Sequence, residues 1–317
     1  MRKLPGSLCF FLLVSAVSVA STAQTSPGNG PGIDSKRVEQ AATLAESGRC
    51  SEALPVLARM TAHLTDKQLQ KRAGLDGMRC ATLLRQWTAL LDLARTLNQQ
   101  FPDDPEILYV SVHAYSDLSN EAARELAQKA PNSLPALEMD AEVNELQGKW
   151  DQAEADYKKV LEQNPRYPGI HFRLARLLLS RPNPGPDFQV QAKKHLQQEL
   201  EIDPANAGAE YVSGELARQA EDFQGAEQHF SRAKTLDPNF ADAYVGLGMS
   251  LVAEKKYQDA IAPLEAAVKL QPGNPVAHYG LGTAYARTGR KEDAERQFAL
   301  QQQAAEQTGG HRNENPR

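Results

Sequence analysis

The chain has 317 residues, 35 basic and 40 acidic side chains, a net charge of −5 and 6% aromatic residues. A mildly acidic chain without a basic block is not expected to bind nucleic acid or an anionic membrane as its main partner. Length alone would suggest about two globular domains, but the internal repeats described below replace that expectation.

The N-terminus is typical of a secretory signal peptide, which we predict to span residues 1–23. Two basic residues precede an apolar run over residues 8–19, and the small residues Ala20 and Ala23 mark two candidate cleavage sites. The run is shorter than the roughly 20 residues that a spanning helix needs, although an uncleaved anchor is the alternative. We therefore expect an exported chain, periplasmic or secreted, that keeps no stable membrane anchor after cleavage.

The two ends of the remaining chain are polar. Residues 24–33 are rich in glycine and proline and have little to bury, so we predict a flexible linker there. Residues 309–317 are predicted to form a disordered tail. Everything between these segments follows one repeated pattern.

Regularly spaced residues mark this pattern. Prolines recur at intervals of 29, 34, 39, 34 and 34 residues: Pro102, Pro131, Pro165, Pro204, Pro238 and Pro272. Four alanines recur at a constant interval of 34 residues: Ala192, Ala226, Ala260 and Ala294. A fixed period in this range indicates an array of repeats, each made of one supersecondary unit.

The segment 241–274 shows what each repeat contains. Tyr244, Leu247 and Leu251 lie at i, i+3 and i+7, which predicts one apolar stripe on a first helix. A second stripe follows around Leu264, and Pro272 ends that helix because proline lacks the donor that a helix requires. Each segment is therefore predicted to be a pair of helices.

Recurring signals also mark where helices begin and where they pack. Asn274-Pro275 predicts a helix start, with asparagine as the N-cap and proline at the first helical position. Gly248 and Ala260 are small, which is required where two helices approach closely. An aromatic residue is predicted to open the second helix in four repeats: Trp87, Trp150, Phe223 and Tyr257.

This pattern resembles the tetratricopeptide repeat, in which two antiparallel helices form each 34-residue repeat. The resemblance implies an all-α fold, a right-handed α-solenoid of about eight helix-turn-helix repeats over residues 34–308. The predicted repeats are 34–70, 71–104, 105–133, 134–167, 168–206, 207–240, 241–274 and 275–308.

Two predicted repeats depart from this length. The repeat 105–133 is five residues short, which we attribute to a truncated second helix over residues 120–129. The repeat 168–206 is five residues long, and the proline-rich residues 182–186 are predicted to form a loop between its helices. That loop is either a solvent-facing turn whose sequence has changed without a function, or a docking element.

The resemblance implies that the chain binds a protein or peptide along its concave surface, which the first helices line. Four aromatic residues at the fifth position of the repeats are candidate anchors: Tyr109, Phe172, Tyr211 and Tyr279. Rigid aromatic side chains can hold a peptide at low entropic cost. The alternative is that these side chains fill space between neighbouring helices.

Charged residues on the same helices are candidate guides for the bound segment. Glu138, Glu142 and Glu145 share one helix face, and Arg173, Arg176 and Arg218 lie on the following first helices. A change from acidic to basic side chains along these helices would orient a ligand that carries negative charge at one end. The alternative is a solvated face of mixed charge.

Two cysteines lie outside the predicted signal peptide. The repeat alignment places Cys50 at the start of a second helix and Cys80 within the next first helix. Since neighbouring helices of such arrays pack together, we predict a disulfide that staples the N-terminal repeats. Two buried free thiols are the alternative.

The sequence carries no motif that predicts catalysis. It has neither a phosphate-binding loop nor a zinc-protease helix, and its seven histidines show no metal-ligand spacing. We therefore predict no catalytic residues, no metal and no cofactor. The predicted function is a non-enzymatic scaffold outside the cytoplasm, in envelope or secretion assembly. A self-associating structural solenoid and a module for a small, glycan-like ligand are the alternatives.

Overall fold

The computed structural model describes residues 31–313 and the side chains of residues 35–307. The predicted signal peptide and most of the predicted linker lie outside these residues. All regular secondary structure in the described part is helical, so the predicted fold class is confirmed. The structure divides into an N-terminal unit ending at Ala122 and a C-terminal unit beginning at Ala123.

The described residues form fifteen α-helices, with one turn of 3₁₀ helix at Thr61–His63. Their bounds are α1 Pro31–Glu46, α2 Cys50–Met60, α3 Lys67–Leu83, α4 Trp87–Gln100, α5 Pro105–Lys129, α6 Leu134–Leu146, α7 Trp150–Gln163, α8 Ile170–Ser180, α9 Phe188–Ile202, α10 Ala207–Gln219, α11 Phe223–Leu236, α12 Ala241–Ala253, α13 Tyr257–Leu270, α14 Pro275–Arg287 and α15 Lys291–Asn313. Seven of the eight predicted repeats contain two helices, and the predicted aromatic residues open α4, α7, α11 and α13.

Six of the helix pairs are joined by a three-residue turn whose middle residue has a positive φ. The six residues are Gly48, Arg85, Gly148, Glu221, Lys255 and Gly289. Each turn closes with a backbone bond that spans five residues, such as Lys256 N to Leu251 O at 2.9 Å. This is the Schellman ending, which satisfies the last carbonyl groups of a helix while reversing the chain. The repeated turn explains why successive pairs have the same form.

The predicted helix start at Asn274-Pro275 is confirmed. The side-chain oxygen of Asn274 accepts hydrogen bonds from the backbone N–H groups of Val276 (3.0 Å) and Ala277 (3.1 Å). Asp104 caps α5 in the same way. Such caps typically stabilise a helix by about 1 kcal/mol.

The glycines of the first helices make room for large side chains on the second helices. A Cβ added to Gly248 would lie 2.4 Å from Leu264 Cγ, and one added to Gly280 would lie 3.0 Å from Leu264 Cδ2. Leu264 is fully buried between them. The prediction that close packing requires a small residue at Gly248 is therefore confirmed, and Gly280 is a further position of the same kind.

Three expectations about individual segments are wrong. Residues 105–133 contain no second helix, because α5 runs without a break from Pro105 to Lys129. The predicted tail begins too early, since α15 continues to Asn313 through the helix-forming residues 301–307. The predicted linker ends too late, since α1 begins at Pro31, and proline is favoured at the first position of a helix.

The proline-rich insertion lies where it was expected, between α8 and α9, over residues 181–187.

Helices α8 and α9 bring two histidines together, since the Nδ1 atoms of His171 and His195 are 3.0 Å apart. His171 is buried. Burial lowers the pKa of both rings, and that of His195 falls to about 4, helped by the charges of His171, Lys158 and Lys194. At neutral pH both rings are uncharged, so one can donate its Nδ1–H to the other.

We expect this histidine pair to make the C-terminal unit less stable in acid. Between pH 6.5 and about 4 the unfolded chain binds protons that the folded pair does not, so stability falls as the pH falls through this range. For His195 alone the expected loss at pH 4 is about 3 kcal/mol, and His195→Gln should remove this part. Urea unfolding followed by Trp150 fluorescence in a Trp87→Phe background checks this. Equal pH dependence of the two proteins would contradict it.

Candidate peptide-binding surface

Three first helices of the C-terminal unit, α10, α12 and α14, form one row. Helix α10 contacts α12, and α12 contacts α14. Residues at equivalent positions of these helices therefore lie along one face, as the resemblance implied. We call this row of first helices the first-helix face.

The four predicted aromatic anchors fall into two groups. Tyr109 on α5 and Tyr279 on α14 are 65% and 52% exposed, which leaves them free to contact a partner. Phe172 and Tyr211 are only partly exposed. The pattern that placed all four at one repeat position therefore did not distinguish contact residues from packing residues.

Phe172 packs between neighbouring helices. A Cβ added to Gly208 on α10 would lie 2.8 Å from Phe172 Cζ, so the ring occupies the space that this glycine leaves. The guanidinium of Arg176 lies 5.8 Å from the centre of the same ring, in a cation–π contact. Phe172 thus joins α8 to α10 and supports the surface rather than projecting from it.

Tyr211 has a similar packing role. Its ring centre lies 5.7 Å from that of Phe230 and 4.9 Å from that of Phe240. Burial, together with the negative charges of Glu215 and Asp242, raises the pKa of Tyr211 to about 12. The phenol is therefore neutral at every physiological pH and serves as a packed, uncharged side chain.

The predicted step from acidic to basic charge is largely neutralised in the structure. Arg173 on α8 pairs with Glu138 at 3.2 Å and with Glu142 at 2.5 Å, both on α6. Arg218 pairs with Glu215 at 2.7 Å within α10. These arginines contact carboxylates of their own chain, so the surface carries mixed charge and not a gradient.

The N-terminal unit contains a surface that the sequence analysis missed. A groove of about 550 Å³ lies between α3 and α5. Its walls include Leu75 and Asp76 on α3, and Val110, His113 and Ala114 on α5. The sequence contained one signal of this site. Asp76 lies three residues after Ala73 and four before Cys80, so helical spacing places its carboxylate on the buried face of α3.

Helix α5 also has exposed apolar residues that do not line this groove. Leu108, Tyr109, Val112 and Tyr115 are between 45% and 65% exposed. We call these four residues the α5 stripe. Their spacing places Leu108, Val112 and Tyr115 on one side of the helix, and His113 lies edge-on to Tyr109 at 4.5 Å between ring centres.

Cys50 and Cys80 are joined by a disulfide in the structure, with Cα atoms 4.9 Å apart. The bond connects the first residue of α2 to α3, the helix that forms one wall of the groove. Both cysteines belong to the buried core of the N-terminal unit.

The described residues offer no framework for metal chemistry or for a membrane span. No group of three or more histidine, cysteine, aspartate or glutamate side chains among residues 35–307 is placed to hold a metal. None of the helices in the described part of the chain is long and apolar enough to cross a bilayer.

Stacked pairs of antiparallel helices with a period near 34 residues define the α-solenoid class of repeat proteins. Sequence models of the tetratricopeptide repeat match residues 147–185 and 191–241, and a further one matches 251–308. These segments of the chain are thus tetratricopeptide repeats. Repeats of this family are generally protein-interaction modules and not enzymes.

Individual similar proteins match only parts of the chain. It is 33% identical over 96 residues to the chloroplastic tetratricopeptide repeat domain-containing protein PYG7 of Arabidopsis thaliana, and 30% identical over 99 residues to protein bimA of Emericella nidulans. These matches cover 29% and 31% of this chain, and 32% and 12% of the two relatives. Among solved structures, YrrB, described as a tetratricopeptide-repeat protein with an unusual peptide-binding site, is 20% identical with a TM-score of 0.49, covering 58% of this chain and 92% of YrrB.

Proposed function

We propose that this protein is a non-enzymatic scaffold that binds a peptide segment of a partner protein on its first helices. The observation that carries the proposal is the α5 stripe, four large apolar side chains that remain exposed on one first helix. Contiguous apolar surface on a folded protein commonly marks a site of interaction. Tyr279, with Val276 one turn earlier and 49% exposed, provides a smaller apolar surface on α14.

The exposed tyrosines are suited to this role. A tyrosine buries a large area on binding and has few rotatable bonds, so little entropy is lost when a partner covers it. Tyr109 and Tyr279 are therefore the proposed anchors, while Phe172 and Tyr211 keep neighbouring helices in place. Arg173, Arg176 and Arg218 contribute mainly through contacts within the chain.

We further propose that the protein acts outside the cytoplasm, in the assembly of envelope or secretion machinery. The basic, apolar and small residues of the first 23 positions support export. The Cys50–Cys80 disulfide supports it independently, because such bonds persist in oxidising compartments and are rare in the cytosol.

Replacing Tyr109 and Tyr279 together by alanine is expected to reduce partner capture at least about 10-fold, because anchors of this kind each contribute more than about 1 kcal/mol. The measurement is an affinity pull-down of the tagged full chain from an envelope extract, quantified by mass spectrometry. The control is Val190→Ala with Leu270→Ala, two exposed apolar residues on second helices. The proposal fails if the tyrosine variant and the control capture the same proteins equally.

Self-association is the second candidate, because the α5 stripe could be covered by another copy of the chain. Light scattering against concentration separates the two. A mass that stays at that of one chain while capture depends on the tyrosines supports the scaffold. A mass that rises with concentration and returns to one chain in Tyr109→Ala supports self-association.

A further inference from the structure

The groove between α3 and α5 contains a carboxylate that the chain leaves only half satisfied. The side chain of Asp76 is 7% exposed. Its Oδ1 accepts one hydrogen bond from Arg79 Nη1 at 3.2 Å, and its Oδ2 is buried with no hydrogen-bond partner in the structure. A buried polar atom of this kind costs free energy and is uncommon in folded proteins.

The neighbouring cations do not compensate for it. Lys71 is bound to Asp104 at 2.7 Å and Glu106 at 3.0 Å, and Arg72 is bound to Glu46 at 2.6 Å. Arg79 contacts Asp76, but its side chain is 63% exposed, so water screens its charge. Within residues 35–307, Asp76 therefore has this one screened ion pair, whereas a buried carboxylate is stabilised by close and well-shielded positive charge.

The ionisation of Asp76 reflects this shortage. Burial raises the pKa of its carboxyl group above the usual range, the nearby charge of Glu46 adds to the rise, and Arg79 and Arg72 only partly oppose it. Asp76 lines the groove, so it would favour a cation that enters there.

The rest of the groove fits a long side chain with a charged end. Leu75, Met78, Val110 and Ala114 give apolar walls, and Leu83, 69% exposed, extends them towards α4. Lysine and arginine carry alkyl stems that pack against apolar surface while the charged group contacts a carboxylate. The volume of about 550 Å³ lies in the range typical of ligand sites, roughly 300–1,000 Å³.

We propose that the α3–α5 groove binds a lysine or arginine side chain of a peptide segment, with Asp76 as the carboxylate that receives its charged group. The inference rests on the proposed function and adds a specificity to it, a basic residue beside apolar ones. The disulfide supports this site, because Cys80 lies one turn after Asp76 on α3 and fixes that helix to α2. A site held rigid before binding loses less entropy when a ligand enters.

The test uses a library of hexapeptides immobilised on beads, in which each position in turn carries every amino acid. The beads are incubated with the fluorescently labelled full chain. Lysine or arginine should be selected at one position. In solution, replacing that residue by norleucine should weaken binding at least about 10-fold by fluorescence anisotropy, as expected for loss of one buried charge pair. Asp76→Asn should bind both peptides with the weaker affinity.

A matched control is Asp92→Asn. Asp92 on α4 also pairs with an arginine three residues later, Arg95, but its side chain is 59% exposed. This variant should keep the full preference for the basic peptide. Circular dichroism and Trp87 fluorescence check that both variants are folded. If Asp76→Asn does not fold, carboxyl ¹³C NMR of the wild-type chain replaces it, and the pKa of Asp76 should fall when the basic peptide is added.

Two results would overturn the inference. One is a wild-type chain with no preference for lysine or arginine over norleucine, and the other is an Asp76→Asn variant that keeps the preference. Neither result affects the tyrosine experiment, so a scaffold with a different specificity would still show loss of capture in the tyrosine variant. A basic preference that needs Asp76, together with unchanged capture by the tyrosine variant, would instead reject the proposed anchors.

Discussion

Replacing Cys50 and Cys80 by alanine is expected to lower the free energy of unfolding of the N-terminal unit by about 3–4 kcal/mol. The disulfide closes a loop between residues separated by 30 positions. Closing a loop of that size restricts the unfolded chain, and the restriction disappears with the bond. The effect is expected to be local, because units of a repeat protein are stabilised mainly by their immediate neighbours.

The two tryptophans allow this to be measured in each unit separately. Trp87 packs against the core of the N-terminal unit and Trp150 against a core of the C-terminal unit. Urea unfolding followed by Trp87 fluorescence in a Trp150→Phe background should show the loss, and Trp150 fluorescence in a Trp87→Phe background should not. Dithiothreitol should shift the wild-type chain and leave the double alanine variant unchanged. Equal Trp87 midpoints with and without reductant would mean that the cysteines are not bonded.

Most of the fold follows from local sequence signals. The helix starts at Asn274-Pro275 and at the aromatic residue Trp150 were predictable because caps and packed aromatics act within one or two turns. The break expected near residue 120 was not found, because repeat length alone does not show whether a turn forms. Three of the six regular turns place Arg85, Glu221 or Lys255 at positive φ, so glycine is not a reliable marker of these turns either.

The candidate surface was less predictable than the fold. Phe172 and Tyr279 occupy the same position of their repeats, yet only Tyr279 is highly exposed. The difference arises on the following helices, where Gly208 opens space for Phe172, while Tyr279 has only the partly exposed Phe298 near its ring at 6.3 Å. Position within a repeat defines a face, but the residues of the neighbouring helices decide which side chains remain on the surface.

Phe230→Ala is expected to lower the free energy of unfolding of the C-terminal unit by about 3–5 kcal/mol. The ring is fully buried on α11. A Cβ added to Gly214 would lie 2.8 Å from Phe230 Cε1, and one added to Gly246 would lie 2.6 Å from it. The ring thus fills space left by two glycines, one on each neighbouring first helix. Because glycine has no side chain that could move into the cavity, the cost should reach the upper part of the range. Urea unfolding followed by circular dichroism measures it.

Phe298 provides the matched control, since it lies 68 residues after Phe230 and packs against Gly282 in the same way. Phe298 is 37% exposed, so Phe298→Ala should lower the free energy of unfolding by only about 1–2 kcal/mol.

Gly246→Ala tests more directly whether the ring of Phe230 requires glycine at this position. In the wild-type chain the added methyl group overlaps the ring and should destabilise by about 1–3 kcal/mol. In the Phe230→Ala chain the same methyl group enters the vacated space and should stabilise by about 0.5–1 kcal/mol, the usual helical preference of alanine over glycine. Destabilisation of equal size in both backgrounds would show that the ring does not determine the need for glycine at this position.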